Sequence, residues 1–472
     1  MSSVKYESVD GQYLDERELK KGAAGWVLLA GLGVSYVISG DFAGWNFGLA
    51  EGGFGGMLIA TIIMGAMYTC MVLSLAELSA SLPTAGGGYS FARRALGPTG
   101  GFLTGTAILL EYMFAPAAIA VFIGAYCQEL FGLNGPVVYA VFYVAFVGLH
   151  LVGVGEALKV MLGITLLAVL ALLVFVVGMI PHFNVDNLFD IAVNTEAAGA
   201  STFLPEGYLG IWAAIPFAIW LFLAVEGVPL AAEESRDPGR DMPRGIIVAM
   251  LILLCFGMLV LFLAPGGAGA SAMADHGAPL VGALQAVYGE DSLAAFTVNA
   301  VGLAGLIASF FSIIFAYSRQ VFALSRAGYL PRFLSLTSSR KAPTYALVIP
   351  GVIGFGFSLT GEGDLMIAMA VFGATISYAL MTLSHILLRK NEPELPRPYR
   401  TPGGVVTSGV AFVLSIVAFV SVFLVNLDAA IWSGVFYVVL IAYFAIYSRH
   451  HLVGAAPEEE FAAIAAAEDE IR

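Results

Sequence analysis

The sequence predicts an all-α integral membrane protein with twelve transmembrane helices. Three observations carry this: an apolar composition, the placement of the basic residues, and two irregular helices at matching positions. Of 472 residues, 59% are hydrophobic and 12% charged, and the mean hydropathy is +0.88. A water-facing surface needs more polar material than this, so lipid is the solvent for most of the chain. An apolar helix of ~20 residues crosses ~30 Å of hydrocarbon, and windows of that kind recur from Trp26 to Tyr447.

Spans 1 to 6 fall near 25–50, 54–80, 101–127, 136–154, 157–181 and 210–232. Spans 7 to 12 fall near 244–265, 294–323, 343–360, 364–388, 405–426 and 429–448. Short cytoplasmic loops retain Lys and Arg while translocated loops lose them, and on this map all 21 basic residues fall on one side. They sit before span 1 (Lys5, Arg17, Lys20, Lys21), between spans 2 and 3 (Arg93, Arg94), at the start of span 5 (Lys159) and after span 6 (Arg236, Arg240, Arg244). The rest follow span 8 (Arg319 through Lys341), span 10 (Arg389 through Arg400) and span 12 (Arg449, Arg472). One misplaced span would scatter them over both faces. The count is therefore even, and both termini are expected in the cytoplasm, with the protein in the inner membrane.

The first 24 residues are charged and polar, with no signal-peptide pattern, and read as a cytoplasmic segment. Cys70, Cys127 and Cys255 lie in or at the ends of spans at unrelated spacings, which indicates packing and neither a disulfide nor a metal site. The net charge of -13 owes six acids to the tail from Glu458 to Glu470, read here as part of a solvated cytoplasmic extension over 449–472. No phosphate-binding GxxxxGK[ST] run and no sizeable soluble domain occur, so pumping would have to draw on gradients rather than ATP. The six histidines are scattered, without HExxH, which gives a metal reaction no support. His150 and His385, near span ends, read as interfacial. No cofactor is expected.

Span 1 carries the first functional signal, GLGVSYVISGDFAGW from Gly31 to Trp45. Dense glycine and a mid-span carboxylate weaken the helix, and unpaired backbone groups at membrane depth are tolerable only where they line a cavity or a bound solute. Span 6 has a matching irregularity, PFAIWLFLAVEGVP from Pro216 to Pro229. Likeness between spans 1 and 6 is what a five-helix inverted repeat predicts.

Several motifs resemble the amino acid/polyamine/organocation permease superfamily. PTAGGGY from Pro83 to Tyr89, followed by Arg93, Arg94 and Ala95 to Pro98, stands after span 2. AEESRDPGRDMPR from Ala232 to Arg244 follows span 6, and SRQVFALSRAGYLP from Ser318 to Pro331 follows span 8. Within that superfamily, SGDFAGWNFG from Ser39 to Gly48 is similar to ethanolamine permeases. The resemblance implies a leucine-transporter-type fold: a first repeat over 25–181, a second over 210–388, two appended spans over 405–448, and a substrate between spans 1, 3, 6 and 8. Amino-acid permeases of this group usually carry a small or apolar residue where Asp41 stands, beside a Gly-Ser-Gly-like break whose amides receive the substrate carboxylate.

That departure bears on the cargo. A carboxylate ~4 Å from Asp41 would be repelled by about 4 kcal/mol at an effective dielectric of ~20, whereas an ammonium would be attracted. Asp41 is expected to pair with a substrate amine, directly or through water; the alternative is a role in capping the broken helix or bonding a neighbouring span. Phe42, Trp45, Trp220 and Phe222 lie near the two breaks and offer faces for a cation, although packing or lipid contact is the ordinary role of such residues. Some arginine- and polyamine-handling relatives place an aromatic gate where Trp220 stands, six residues before Glu226. Ser39, Gly40 and Ala224 complete the expected binding set with Glu111 and Glu226, the other mid-membrane acids, which alternatively bond helix to helix. For a coupling ion the candidates are a proton on Glu111 or Glu226, or sodium near Ser309 and Ser312. The lysine that often takes the coupling position on span 5 in relatives is replaced by Ala168 or a nearby apolar residue. The twelve acids in the outward loops, Glu51 to Asp428, lie where no Lys or Arg occurs and would concentrate cations at the mouth; exclusion of basic residues during insertion explains them as well. The leading expectation is alternating-access transport of ethanolamine or a close amine such as choline. A neutral or cationic amino-acid permease is second, and a non-transporting amine sensor third.

Overall fold

The computed structural model describes residues 5–7, 13, 24–84, 86–152, 157–454, 456 and 459. Among them, nine helices are long and apolar enough to cross a membrane: spans 2, 3, 5, 6, 7, 8, 10, 11 and 12. Three shorter apolar helices supply spans 1, 4 and 9, over Trp26–Phe42, Pro136–Val152 and Thr344–Ser358. The expected twelve are all present, but several boundaries move. Span 2 begins at Phe47 and runs to Ser81, bent at Gly53, and span 3 runs from Gly88 to Phe131, bent at Gly97. The basic motif after span 2 is thus a helical extension of span 3 rather than a loop.

Burial divides the spans into a centre and a rim. In its most apolar stretch span 3 is 94% buried and span 12 only 22%. Span 3 packs against spans 8 and 10, while span 1 packs against spans 5, 7 and 8 and span 2 against spans 6, 7 and 11. Large apolar side chains stay exposed on span 4 (Val137, Val141, Val144), span 5 (Leu166, Leu170) and spans 11 and 12 (Val413, Leu424, Val435, Val438). A surface of this kind suits lipid and not water. Between spans 7 and 8 lie two short helices, Ala270–Ala274 and Pro279–Tyr288. Ser292 caps span 8 by accepting from the Ala295 amide, and Asn426 caps span 12 by accepting from the Ala429 amide.

Both irregular helices are broken. Span 1 is helical over Trp26–Val37 and Ser39–Phe42, then extended at Ala43 before span 2 begins. The break therefore follows Asp41, which lies in a helical turn, instead of containing it. Span 6 is helical over Gly207–Trp220, passes through a left-handed Ala224 (φ 79°), and resumes as a tighter 3-10 helix over Val225–Glu234. The two breaks meet closely. A Cβ on Gly40 would lie 2.5 Å from the Trp220 carbonyl oxygen, and one on Gly44, itself at φ +94°, would lie 2.6 Å from Trp220 Nε1. Only glycine allows that approach.

The described residues nearest the two ends of the chain gather at one face. Strand β1 (Tyr6–Glu7) pairs in parallel with β2 (Leu452–Val453). A second apolar cluster, including Tyr89, Phe102, Tyr329, Phe444 and Leu452, lies beneath them. The reading of the tail as solvated is corrected at Glu459, which is fully buried. Its carboxylate satisfies the Arg93 guanidinium, which would otherwise be a costly buried charge. The other tail acids lie outside the described residues, as do Arg17, Lys20, Lys21 and Arg472.

Candidate functional site

Where the breaks meet there is a cleft of about 150 Å³, lined by Tyr36, Val37 and Ser39 of span 1, Trp220 and Leu223 of span 6, and Ile313 of span 8. It is too narrow for a water-sized sphere, so this conformation is closed around it. Of the expected binding residues it gathers Ser39 and Trp220. Sequence patterns pointed to neither Tyr36, Leu223 nor Ile313, because apolar and aromatic residues line a cleft and a packed core alike. Trp220 donates its indole N–H to the Ala43 carbonyl at 2.9 Å and stands edge-on to Phe122 of span 3. It thereby satisfies a backbone oxygen that the break in span 1 sets free.

The remaining aromatics pack elsewhere. Phe42 meets Tyr126 edge-on and lies against Gly302 and Gly305 of span 8. Phe222 contacts Tyr68 with ring centroids 5.5 Å apart. Trp45 is fully buried. Asp41 turns toward span 7: a Cβ built on Gly257 would lie 3.7 Å from Asp41 Oδ1 and 3.7 Å from the Phe222 ring. Asp41 is 1% exposed and its Oδ1 has no partner among the described residues. A buried carboxylate oxygen without a donor is costly.

Glu111 and Glu226 come together. Tyr378 of span 10 places its hydroxyl 3.3 Å from Glu111 Oε1 and 3.2 Å from Glu226 Oε2. The Tyr68 hydroxyl donates to that of Tyr378 at 2.9 Å, and Tyr112 donates to Glu226 Oε1 at 3.1 Å. Tyr378 has one hydrogen to give, so it serves one carboxylate, and the other contact needs a proton carried by a carboxyl group. Glu111 Oε2 has no partner among the described residues. The tyrosines that join these acids went unrecognised because span 10 shows no irregularity and Tyr68 and Tyr378 lie 310 residues apart.

Ser309 and Ser312 meet span 1 through hydroxyls. Ser39 and Ser309 lie 2.8 Å apart, Ser309 donates to the Tyr36 carbonyl at 2.7 Å, and Ser35 and Ser312 lie 2.5 Å apart. The span 5 side chain that meets them is Met161, whose sulfur is 2.7 Å from Ser312 Oγ. Ala168 lies two turns on, where a Cβ on Gly305 would be 3.0 Å away.

Two further contacts bear on opening. Asn46, just past the break in span 1, donates to the carbonyls of Met273, Ala274 and His276 at 2.9, 3.2 and 3.0 Å and accepts from the Gly44 amide. At the other end, Arg319 and Arg326 of span 8 bind Glu234 and Glu233 of span 6 at 2.7 and 3.4 Å. Span 6 also holds the start of span 1, where Ala24 bonds Glu234 O and Arg236 N.

Comparison with known proteins agrees with this architecture. Residues 25–446 match the family described as amino acid permease. An uncharacterized transporter of Rhizobium meliloti (strain 1021) is 28% identical over 83% of this chain and 85% of its own length. A branched-chain amino acid permease of Bacillus subtilis (strain 168) is 26% identical over 92% of this chain and 95% of its own. A methylthioribose transporter of the same organism is 26% identical over 78% and 79%.

Proposed function

The chain belongs to the amino acid permease family, and within that family we propose that it imports a small organic amine, ethanolamine or a close analogue such as choline, by alternating access. The fold serves this through two five-span inverted repeats, 25–181 and 210–388, whose broken helices close on one another around the cleft. The face bearing both termini and the basic residues is cytoplasmic, in the inner membrane. The protein moves its cargo without chemical change.

The observation that carries the amine reading is Asp41, buried beside the break with an unpartnered oxygen. With Glu111 and Glu226 it makes three buried acids around the two breaks, and none of the three has an ion pair with Lys or Arg among the described residues. An environment this rich in acceptors and poor in cations favours an ammonium guest over a carboxylate one. Asp41 does not line the closed cleft, so on this reading it meets the amine when the cleft widens toward span 7. The coupling ion is a proton on the Glu111–Glu226 pair. The serine cluster is the weaker ion site: its hydroxyls already bond one another, the Tyr36 and Ala308 carbonyls and a thioether, and no carboxylate is among these partners to balance a cation's charge.

A second reading, a neutral amino-acid permease, is favoured by the uncharged lining of the cleft and by the branched-chain permease among the relatives. Uptake of labelled ethanolamine into reconstituted vesicles separates the two. Saturable uptake that choline inhibits better than leucine or alanine supports the amine; preferential inhibition by the amino acids overturns it. Asp41→Asn is expected to weaken amine affinity about tenfold or more, as for loss of a charged hydrogen bond; undiminished affinity would remove Asp41 from recognition.

A further inference from the structure

The face that gathers both termini holds a second built site, unrelated to the cleft. Arg93 is 8% exposed, and its Nε lies 2.8 and 2.7 Å from the two carboxylate oxygens of Glu459. Tyr329 and Tyr89 donate to Glu459 Oε1 at 2.9 and 3.3 Å, and Tyr6 donates to Oε2 at 3.3 Å. One carboxylate thus joins four segments: the leader before span 1, the start of span 3, the connection after span 8, and the tail after span 12. Hydrogen bonds to an ionised acceptor inside a buried pocket are among the stronger polar contacts a protein makes.

The position of the pocket gives it a consequence. Arg326 Nη2, which binds Glu233 of span 6, stands three residues before Tyr329, and the tail backbone reaches the same turn, Val453 N bonding Ala327 O. The leader is tied into the tail by β1–β2 and by Arg332, which binds Glu7 at 2.6 Å. The start of span 1 is bonded to the end of span 6, through Ala24, Glu234 and Arg236. Parting spans 1 and 6 from spans 3 and 8 at this face therefore breaks the Arg326–Glu233 contact, whose arginine adjoins the turn that Glu459 fastens through Tyr329.

We propose that Arg93, Tyr89, Tyr329 and Tyr6 form a carboxylate-binding pocket whose ligand is the chain's own Glu459, and that its occupancy restrains opening at the face where the termini meet. An empty pocket leaves the ends of spans 1 and 6 freer to separate from spans 3 and 8. The tail is then a regulatory element, and the pocket its receptor.

The test is hydrogen exchange on the full-length protein in lipid nanodiscs, comparing the native chain with Glu459→Gln and Tyr329→Phe. Glu459→Gln should speed exchange about tenfold over residues 24–30 and 228–236, as for loss of a charge-assisted hydrogen bond that gates local opening. Tyr329→Phe should give a smaller acceleration in the same two segments. Residues 270–276, at the opposite face, should keep native rates in both. Unchanged rates at 24–30 and 228–236, or uniform acceleration at both faces, would overturn the proposal and leave Glu459 a packing contact. Should Glu459→Gln not yield folded protein, Tyr329→Phe decides alone: unchanged exchange at those segments overturns it.

Discussion

The indole N–H of Trp220 reaches across from span 6 to the Ala43 carbonyl of span 1, 2.9 Å away, and so closes one broken helix with the side chain of the other. Trp220→Phe keeps the ring and removes the donor. The orphaned carbonyl costs ~1–3 kcal/mol, so the closed state should be weakened by that amount. On the proposed reading the amine enters only as the cleft widens, so its affinity by titration calorimetry should rise, by at most roughly fivefold to a hundredfold at that cost. Wild-type affinity would mean that closure does not depend on this bond.

Tyr378→Phe tests the carboxyl pair. It removes the hydroxyl shared by Glu111 and Glu226, leaving Tyr112 on Glu226. If the pair carries the proposed coupling proton, accumulation driven by a pH gradient should drop about tenfold, as for loss of a hydrogen bond to a charged group, while exchange of the proposed amine without a gradient persists. Glu226→Gln should abolish gradient-driven accumulation. Equal losses in both assays would make these acids structural alone.

Asn46 offers a comparison of opposite signs. Its amide nitrogen donates to three carbonyls. Asn46→Ala strands them, at ~1–3 kcal/mol. Asn46→Asp puts an acceptor against acceptors, and should lower the thermal midpoint further than Asn46→Ala despite its closer shape. The reverse order would place the nitrogen and oxygen of the amide the other way round.

For the serine cluster the expected result is thermal and not ionic. Ser309→Ala removes bonds to Ser39 and to the Tyr36 carbonyl, costing ~1 kcal/mol each. Its midpoint should fall while uptake stays indifferent to sodium. A sodium dependence of the native protein that Ser309→Ala abolishes would move the coupling ion here.

At the terminal face, the His451 hydrogen bond and then Arg332 hold the Glu7 carboxyl below its ordinary range. A depressed carboxylate stabilises the folded form fully above its unfolded pKa of about 4.3 and loses that contribution as pH falls through the folded value. The contribution of Glu7 to the β1–β2 pairing should therefore be full at neutral pH and decline below about 4. Exchange at residues 449–453, corrected for intrinsic rates, should follow this course, and Glu7→Gln should flatten it.

Much of this arrangement was legible in the sequence, and what was not has physical causes. Hydropathy and basic residues reveal spans because lipid and membrane insertion act on composition. Glycine, proline and acid in one helix reveal a break because they weaken it wherever they stand, so the broken spans 1 and 6 were readable. The position of the break after Asp41, at Ala43, was not, since propensity does not say which peptide gives way. Nor do side-chain directions appear in a string of letters: Asp41 and Phe222 both turn to Gly257. Glu459 is the sharpest case. Among neighbouring acids it reads as solvated, and only the fold brings Arg93 to it from 366 residues away.

Ala224 leaves the turn in span 6 spring-loaded. At φ 79° its Cβ crowds the backbone, a penalty of ~1–2 kcal/mol that glycine would escape. Any rearrangement that takes Ala224 out of the left-handed region recovers that penalty, so rewinding this turn runs downhill in backbone energy.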